Sequence, residues 1–256
     1  MTKRLADIAA ESILIAGGGR AILLQVAHPA VGRGVARHSD FAADPIRRLR
    51  ATLTYVYLLA NGDHDEIRRM ATRVNAAHAR VRGDDYAATD PELQLWVAAT
   101  LYDTAITVYE RMFGALGAAD AEAIYQDYAI LGTALQMPAE LWPADRDAFR
   151  AYWDRTVPLL RVDDDTRRIC RDLLYPARVP LWLRLSMPLA RLVTAGLLSE
   201  DQRVMYGLEW NGRRQRRFDR ALRLIATTYP RLPARVRRWP RDHYVRRFRA
   251  TAHYVR

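Results

Sequence analysis

The stretch ILIAGGGRAILLQVAHPAVGRG, residues 13–34, decides between two folds, because an apolar run ends in three glycines and a second apolar run follows. In a strand–turn–helix unit, glycines in the pattern G-x-G-x-x-G bind the pyrophosphate of a dinucleotide. Gly17 and Gly19 fit the first two positions, but Ile22 stands at the third. Asp40 lies at about the right distance for a ribose-binding carboxylate, yet no second strand precedes it. The dinucleotide interpretation is therefore poor.

The alternative for this stretch is a helix, a break and a second helix. Glycine permits a sharp turn or the close approach of another group. Arg20 then begins a helix whose apolar residues lead to His28, and Pro29 ends or kinks that helix.

Helical spacing continues beyond this stretch. Asp44 and Pro45 predict a helix start that Gly62 closes. The apolar residues of this helix form one stripe at steps of three and four, namely Ile46, Leu49, Leu53, Val56 and Ala60.

Two further helices follow the same logic. Asp63 opens a helix that is predicted to run to Gly83, with His78 in its middle on the apolar face. Asp90 and Pro91 then start a long helix with an inward apolar stripe. Because strand patterns are almost missing, the sequence predicts a single all-α domain over residues 1–256, with a basic C-terminal tail from about residue 235.

The composition limits the classes of function. The formal net charge is +11, and Lys3 is the only lysine, so arginine supplies nearly all the basic groups. These arginines alternate with apolar residues at helical spacing, which favours a solvated surface over a nucleic-acid site. Peripheral contact with an anionic membrane is a weaker interpretation of the same charge.

The single cysteine, Cys170, excludes an intrachain disulfide and fits a reducing, cytoplasmic location. No uninterrupted apolar run approaches the ~18–20 residues of a membrane span. The nearest, residues 179–198, is broken by Arg184, Pro188 and Arg191, and predicts a buried or interfacial pair of helices.

Several motifs occur together in a fixed order: GGGRAILLQVAHPAVGRGVARHSDF, DPIRRLRATLTYV, AAHARVRG, DPELQLWVAATLYDT, and later YGLEWN and LPARVRRWP. In this order they resemble the catalytic domain of the MpaB and latex-clearing-protein (rubber oxygenase) family. The resemblance extends over residues 9–240. It implies an all-helical domain with a globin-like core, one haem b, and oxygenase chemistry on apolar substrates.

The resemblance also implies roles for particular residues. His78 matches the family's iron-binding histidine, and the alternative is a core histidine bonded to a carbonyl or carboxylate. The family's distal Arg and Thr match Arg48 and Thr52 best, whereas Arg50 and Thr54 have the same spacing in a shifted frame. An ordinary surface Arg and Thr would also explain either pair.

Two positions depart from the family pattern. Ala51, or Leu53 in the other frame, stands where latex clearing protein has a lysine that can bind iron. Ala98 stands where short members often have histidine. Both departures put the family's full activity in question for this chain.

Arg20 and His28 form a second cluster, either at the haem propionates or the pocket wall, or as a structural ion pair and a backbone-bonded histidine. Cys170 is interpreted as a small buried thiol. The sequence thus predicts a haem-dependent oxygenase that takes molecular oxygen and an apolar small molecule, its oligomeric state left open. The alternative is a haem or apolar-ligand binding protein without catalysis.

Overall fold

The computed structural model describes residues 2–38, 45–177 and 179–252. Within these ranges the chain is almost entirely helical, as predicted. The α-helices are α1 Leu5–Ala9, α2 Gly18–Ala27, α3 Pro29–His38, α4 Pro45–Asn61, α5 His64–His78, α6 Pro91–Phe113, α7 Ala118–Tyr128, α8 Ile130–Thr133, α9 Arg146–Thr156, α10 Asp164–Leu174, α11 Leu181–Leu197, α12 Glu200–Met205, α13 Gly212–Thr228, α14 Ala234–Arg237 and α15 Trp239–Ala252.

Short elements complete the chain. Four 3-10 helices span Ser12–Gly17, Ala139–Leu141, Val157–Leu159 and Tyr229–Arg231. Two two-residue strands, β1 Arg82–Gly83 and β2 Tyr86–Ala87, pair antiparallel, with Arg82 opposite Ala87 and Gly83 opposite Tyr86. Asp40 and Asp44 lie outside the described residues.

The opening stretch forms the predicted helix, break and helix. The chain turns by 106° between residues 12–27 and 29–38, because Pro29 cannot continue α2 and His28 is extended. The glycines let α2 pack against its neighbours: a Cβ on Gly17 would lie 2.6 Å from Thr104 Cγ2, and one on Gly19 would lie 2.2 Å from Thr194 Oγ1. They therefore serve close helix packing on α6 and α11.

Helix α6 is the central element. Asp90 caps it by accepting a hydrogen bond from the Glu92 amide at 2.9 Å, and Pro91 occupies its first position. Its buried residues contribute to all three hydrophobic clusters of the core. In the largest cluster the ring of Tyr102 packs edge to face on Phe149, with the ring centroids 4.9 Å apart.

Helix α5 ends earlier than predicted. It stops at His78 instead of continuing to Gly83, so His78 is the last helical residue and does not lie mid-helix. The chain reverses through β1 and β2, and Tyr86 is buried there, where it leaves no space for a side chain at Gly83. This long-range packing overrides the local helical spacing.

The inward face of α4 also differs from the predicted stripe. Leu49 is 40% exposed, whereas Tyr55, Leu58 and Leu59 are buried. The C-terminal half of α4 packs against α1, α8 and α15. The apolar residues of its N-terminal half contact no hydrophobic cluster of the described residues.

Two C-terminal features were not predicted. Residues 181–197 form one helix instead of a pair. Pro188 has no amide proton, so one carbonyl of the helix loses its usual donor. Because Pro188 lies on the exposed side, water can donate a hydrogen bond to that carbonyl. The basic tail forms α14 and α15, and α15 packs on α4 through buried Val245 and Phe248. Among the described residues no single helix is long and apolar enough to cross a membrane, although the bent pair of residues 12–27 and 29–38 meets the length and composition criteria together.

Candidate functional site

The candidate site lies where the C-terminus of α5 faces the N-terminal half of α4. His78 is half-buried at the end of α5. Its Nδ1 atom is buried and has no hydrogen-bond partner among the described residues. Burial lowers the pKa of the imidazole below its ordinary value, and the charge of Arg48 lowers it further. At neutral pH the ring is therefore uncharged, with at least one nitrogen unengaged by the protein.

The structure brings Arg48 into electrostatic range of His78. Arg48 is exposed to solvent, and its positive charge still acts on the His78 ring. Thr52 lies one turn further along α4 on the same helix face and is exposed. Arg48 thus links the two helices at this end, and the i, i+4 spacing puts Thr52 on the Arg48 face of α4.

The shifted pair, Arg50 and Thr54, has a different environment. Thr54 donates its hydroxyl proton to the Arg50 carbonyl at 2.7 Å, which occupies that proton within the helix. Arg50 is exposed, as Arg48 is, but the charge that lowers the pKa of His78 is that of Arg48. The charge effect favours Arg48 over Arg50 as the arginine nearer His78.

Arg20 has protein partners on all sides. Its Nη1 atom lies 2.6 Å from Asp103 Oδ2 and donates to Thr104 Oγ1 at 2.8 Å, and its Nε donates to the Leu197 carbonyl at 2.9 Å. The guanidinium is buried and ties α2 to α6 and α11. This environment corresponds to the structural ion pair, and a role in cofactor binding stays a prediction.

His28 occupies the break between α2 and α3. Its ring centroid lies 6.4 Å from that of Trp96, and its Nδ1 is buried without a partner among the described residues. Burial, followed by the charge of Arg33, lowers its pKa, while Asp90 and Glu92 oppose the shift. The charge that acts on His78 is that of Arg48, which is not among the charges around His28, so the two histidines occupy different environments.

Sequence reasoning missed one polar residue of the site. Asn75 precedes His78 by three residues on α5, and its Oδ1 is buried without a partner among the described residues. The i, i+3 spacing to His78 was the available signal. Asn75 Oδ1 and His78 Nδ1 are thus two buried polar atoms, three residues apart on α5, without a partner among the described residues.

Two further side chains that could bind iron, those of Cys170 and His38, lie among contacts that stabilise the fold. Cys170 is buried on α10, and burial raises the pKa of its thiol to about 11, so the thiolate is absent at neutral pH. His38 Nε2 lies 3.1 Å from the Tyr86 hydroxyl. Over residues 2–38, 45–177 and 179–252, no three His, Cys, Asp or Glu side chains are grouped so as to hold a metal ion.

The residues at this site fit a haem group in their chemistry. Haem iron takes an axial nitrogen from a histidine, and the neutral His78 ring with its unengaged Nδ1 supplies a suitable donor. The cationic Arg48 beside it suits the carboxylates of a haem periphery. The fit rests on the donor set alone.

Removing the Arg48 charge tests this electrostatic arrangement. Arg48→Gln is expected to raise the pKa of His78 toward its ordinary value in the haem-free protein, because one of the two causes that lower it is gone. NMR titration of the His78 ring protons measures the shift, and Arg50→Gln is the matched control, expected to leave it unchanged. An unaltered His78 pKa in Arg48→Gln would contradict the arrangement.

The same shift has a consequence for stability. The pKa of His78 is lower in the folded chain than in the unfolded chain, so as the pH falls the unfolded chain binds the proton first. The contribution of His78 to the free energy of unfolding is therefore complete above the unfolded pKa of about 6.5. It declines as the pH falls from there through the folded pKa. Arg48→Gln should narrow the pH interval over which stability declines, because it brings the folded pKa of His78 closer to the unfolded one.

Known proteins resemble this chain along most of its length. The profile of the family described as "ER-bound oxygenase mpaB/B'/Rubber oxygenase, catalytic domain" matches residues 6–227. The uncharacterized protein Rv2237 of Mycobacterium tuberculosis is 36% identical over an alignment of 225 residues, which covers 84% of this chain and 88% of that protein. The uncharacterized protein Mb2261 of Mycobacterium bovis gives the same values.

One solved structure shares the fold. Latex clearing protein LCP in the closed state superposes with a TM-score of 0.62 at 18% sequence identity. The alignment covers 95% of this chain and 73% of that one. At this identity the likeness supports the all-helical fold and nothing finer.

Proposed function

Because this chain belongs to the family of the mpaB and rubber oxygenase catalytic domain, we propose that it is a haem b-dependent oxygenase that acts on an apolar small molecule. The family is one of oxygenases. The cofactor, the substrate class and the residue roles below are the parts that we propose.

The observation that carries the proposal is the state of His78. Its ring is half-buried, it is held uncharged by burial and by Arg48, and Nδ1 has no partner among the described residues. A buried polar atom without a partner lowers stability by about 1–3 kcal/mol. Its presence in a folded chain therefore needs a functional reason. Ligation of haem iron by His78 is such a reason.

Arg48 and Thr52 have supporting roles in this proposal. Arg48 would pair with a carboxylate of the cofactor and, through its charge, keep a proton off His78. Thr52 offers an exposed hydroxyl on the same face of α4. Bound haem would supply the redox-active iron at which molecular oxygen is activated.

Ala51 favours a second candidate, a haem or apolar-ligand binding protein without turnover. By the family resemblance, Ala51, or Leu53 in the shifted frame, stands where latex clearing protein has a lysine, and neither side chain can bind iron or move a proton. Ala98, the other departure, is buried on α6 and equally inert.

The test is an absorption spectrum of protein produced with a haem supply, followed by aerobic incubation with apolar compounds and a reductant. A Soret band with consumption of oxygen and an oxygenated product is the expected result. A Soret band without product would select the binding protein. A protein that stays colourless after reconstitution with haem would overturn the haem proposal.

A further inference from the structure

The first half of α11 presents a row of large apolar side chains to solvent. Leu181, Trp182, Leu185 and Leu189 are 61%, 67%, 71% and 47% exposed. At about 100° per residue these four lie within one face of the helix. Met187, on the opposite face, is buried. We call these four residues the α11 stripe.

The exposure is confined to this half of the helix. The second half, from Val193 to Leu197, is buried against α2 and α13. Tyr175, which precedes α11, is also 65% exposed. Single exposed apolar residues are common on soluble proteins, whereas a contiguous row of this size marks a surface that something covers.

The charge around the stripe identifies the kind of partner. Residues 179–199 contain Arg184 and Arg191 and no Asp or Glu, within a chain of net charge +11. Arg184 is exposed on the border of the stripe, and the Arg191 guanidinium lies 4.5 Å from the centroid of the Tyr175 ring. A helix with leucine and tryptophan on one face and arginine at its edges has the pattern of a segment that lies in a membrane interface.

We propose that the α11 stripe docks this protein on the surface of an anionic lipid bilayer. The helix lies parallel to the membrane, with the leucines and Trp182 among the acyl-chain ends and the arginines at the lipid headgroups. Trp182 and Tyr175 suit this depth because each combines an apolar ring with a polar atom. The proposal is independent of the haem assignment, because the stripe shares no residue with the α4–α5 site.

Vesicle sedimentation tests the proposal. Wild-type protein is expected to pellet with vesicles in which phosphatidylglycerol makes up about a third of the lipid, far more than with pure phosphatidylcholine, and less as salt is added. Leu185→Ser should weaken binding to the anionic vesicles at least about tenfold, since it removes a leucine from the acyl region. Val204→Ser, at a residue 72% exposed on α12, is the matched control and should bind as wild type does.

Two results would overturn the proposal. One comes from the vesicle experiment: the wild type does not bind anionic vesicles at low salt, or it binds them no better than Leu185→Ser does. The other is a concentration-dependent dimer in analytical ultracentrifugation that Leu185→Ser abolishes, which would assign the stripe to a second copy of the chain. Circular dichroism of each variant establishes that it is folded, as expected for changes at exposed positions.

Discussion

His78→Gly is expected to abolish the Soret band of protein produced with haem, because it removes the imidazole that we propose as the iron ligand. Loss of the only axial nitrogen should weaken haem binding by more than about 100-fold. Glycine is well tolerated at the end of a helix, and His78 is the last residue of α5, so the fold should survive the change.

The design has a control and a rescue. His64→Gly removes the exposed histidine at the other end of the same helix and should keep the band. Millimolar imidazole added to His78→Gly should restore the band by filling the space of the lost ring. A band that persists in His78→Gly without imidazole would transfer the ligand to His28 or His38.

The second large effect concerns stability. Arg20→Met should lower the free energy of unfolding by about 3 kcal/mol, because it leaves Asp103 without its cation and removes hydrogen bonds to Thr104 and Leu197. Asp103 keeps some contact with water, so the loss belongs at the lower end of the range for buried pairs. Urea unfolding of the haem-free protein measures it.

Two companion variants separate the ion pair from other causes. Arg20→Met/Asp103→Leu should recover much of the stability, since no charge is then left unpaired. Arg68→Met removes an exposed pair with Asp65 and should change stability by less than about 1 kcal/mol. Unchanged stability in Arg20→Met, together with weaker haem uptake, would instead support the role of Arg20 at the propionates.

Local signals predicted the elements whose ends depend on local chemistry. Pro29 predicted the break after α2, Asp63 the start of α5, and Asp90 with Pro91 the start of α6, because capping and proline geometry act within one turn. The end of α5 and the core face of α4 escaped prediction. Tertiary contacts decide both, through the Tyr86 hairpin and through packing on α15.

The candidate site, like the fold, could be predicted only in part from local sequence. His78 was chosen through the family resemblance, and its apolar helical position alone would have favoured an ordinary core histidine. The proximity of Arg48 to His78 depends on how α4 crosses α5, and no spacing within either helix encodes it. The unengaged Asn75 Oδ1 likewise emerges only once the neighbours of α5 are known.

The exposed first half of α4 separates the residues that maintain the fold from those proposed to decide the chemistry. Arg48, Ala51 and Thr52 are exposed, and the buried part of the helix begins at Tyr55. Substitutions at exposed positions usually change stability by less than about 0.5 kcal/mol. A lysine introduced at position 51 should therefore need no compensating change in the core. Substitutions at this end of α4 therefore act on the proposed site and leave the buried scaffold as it is.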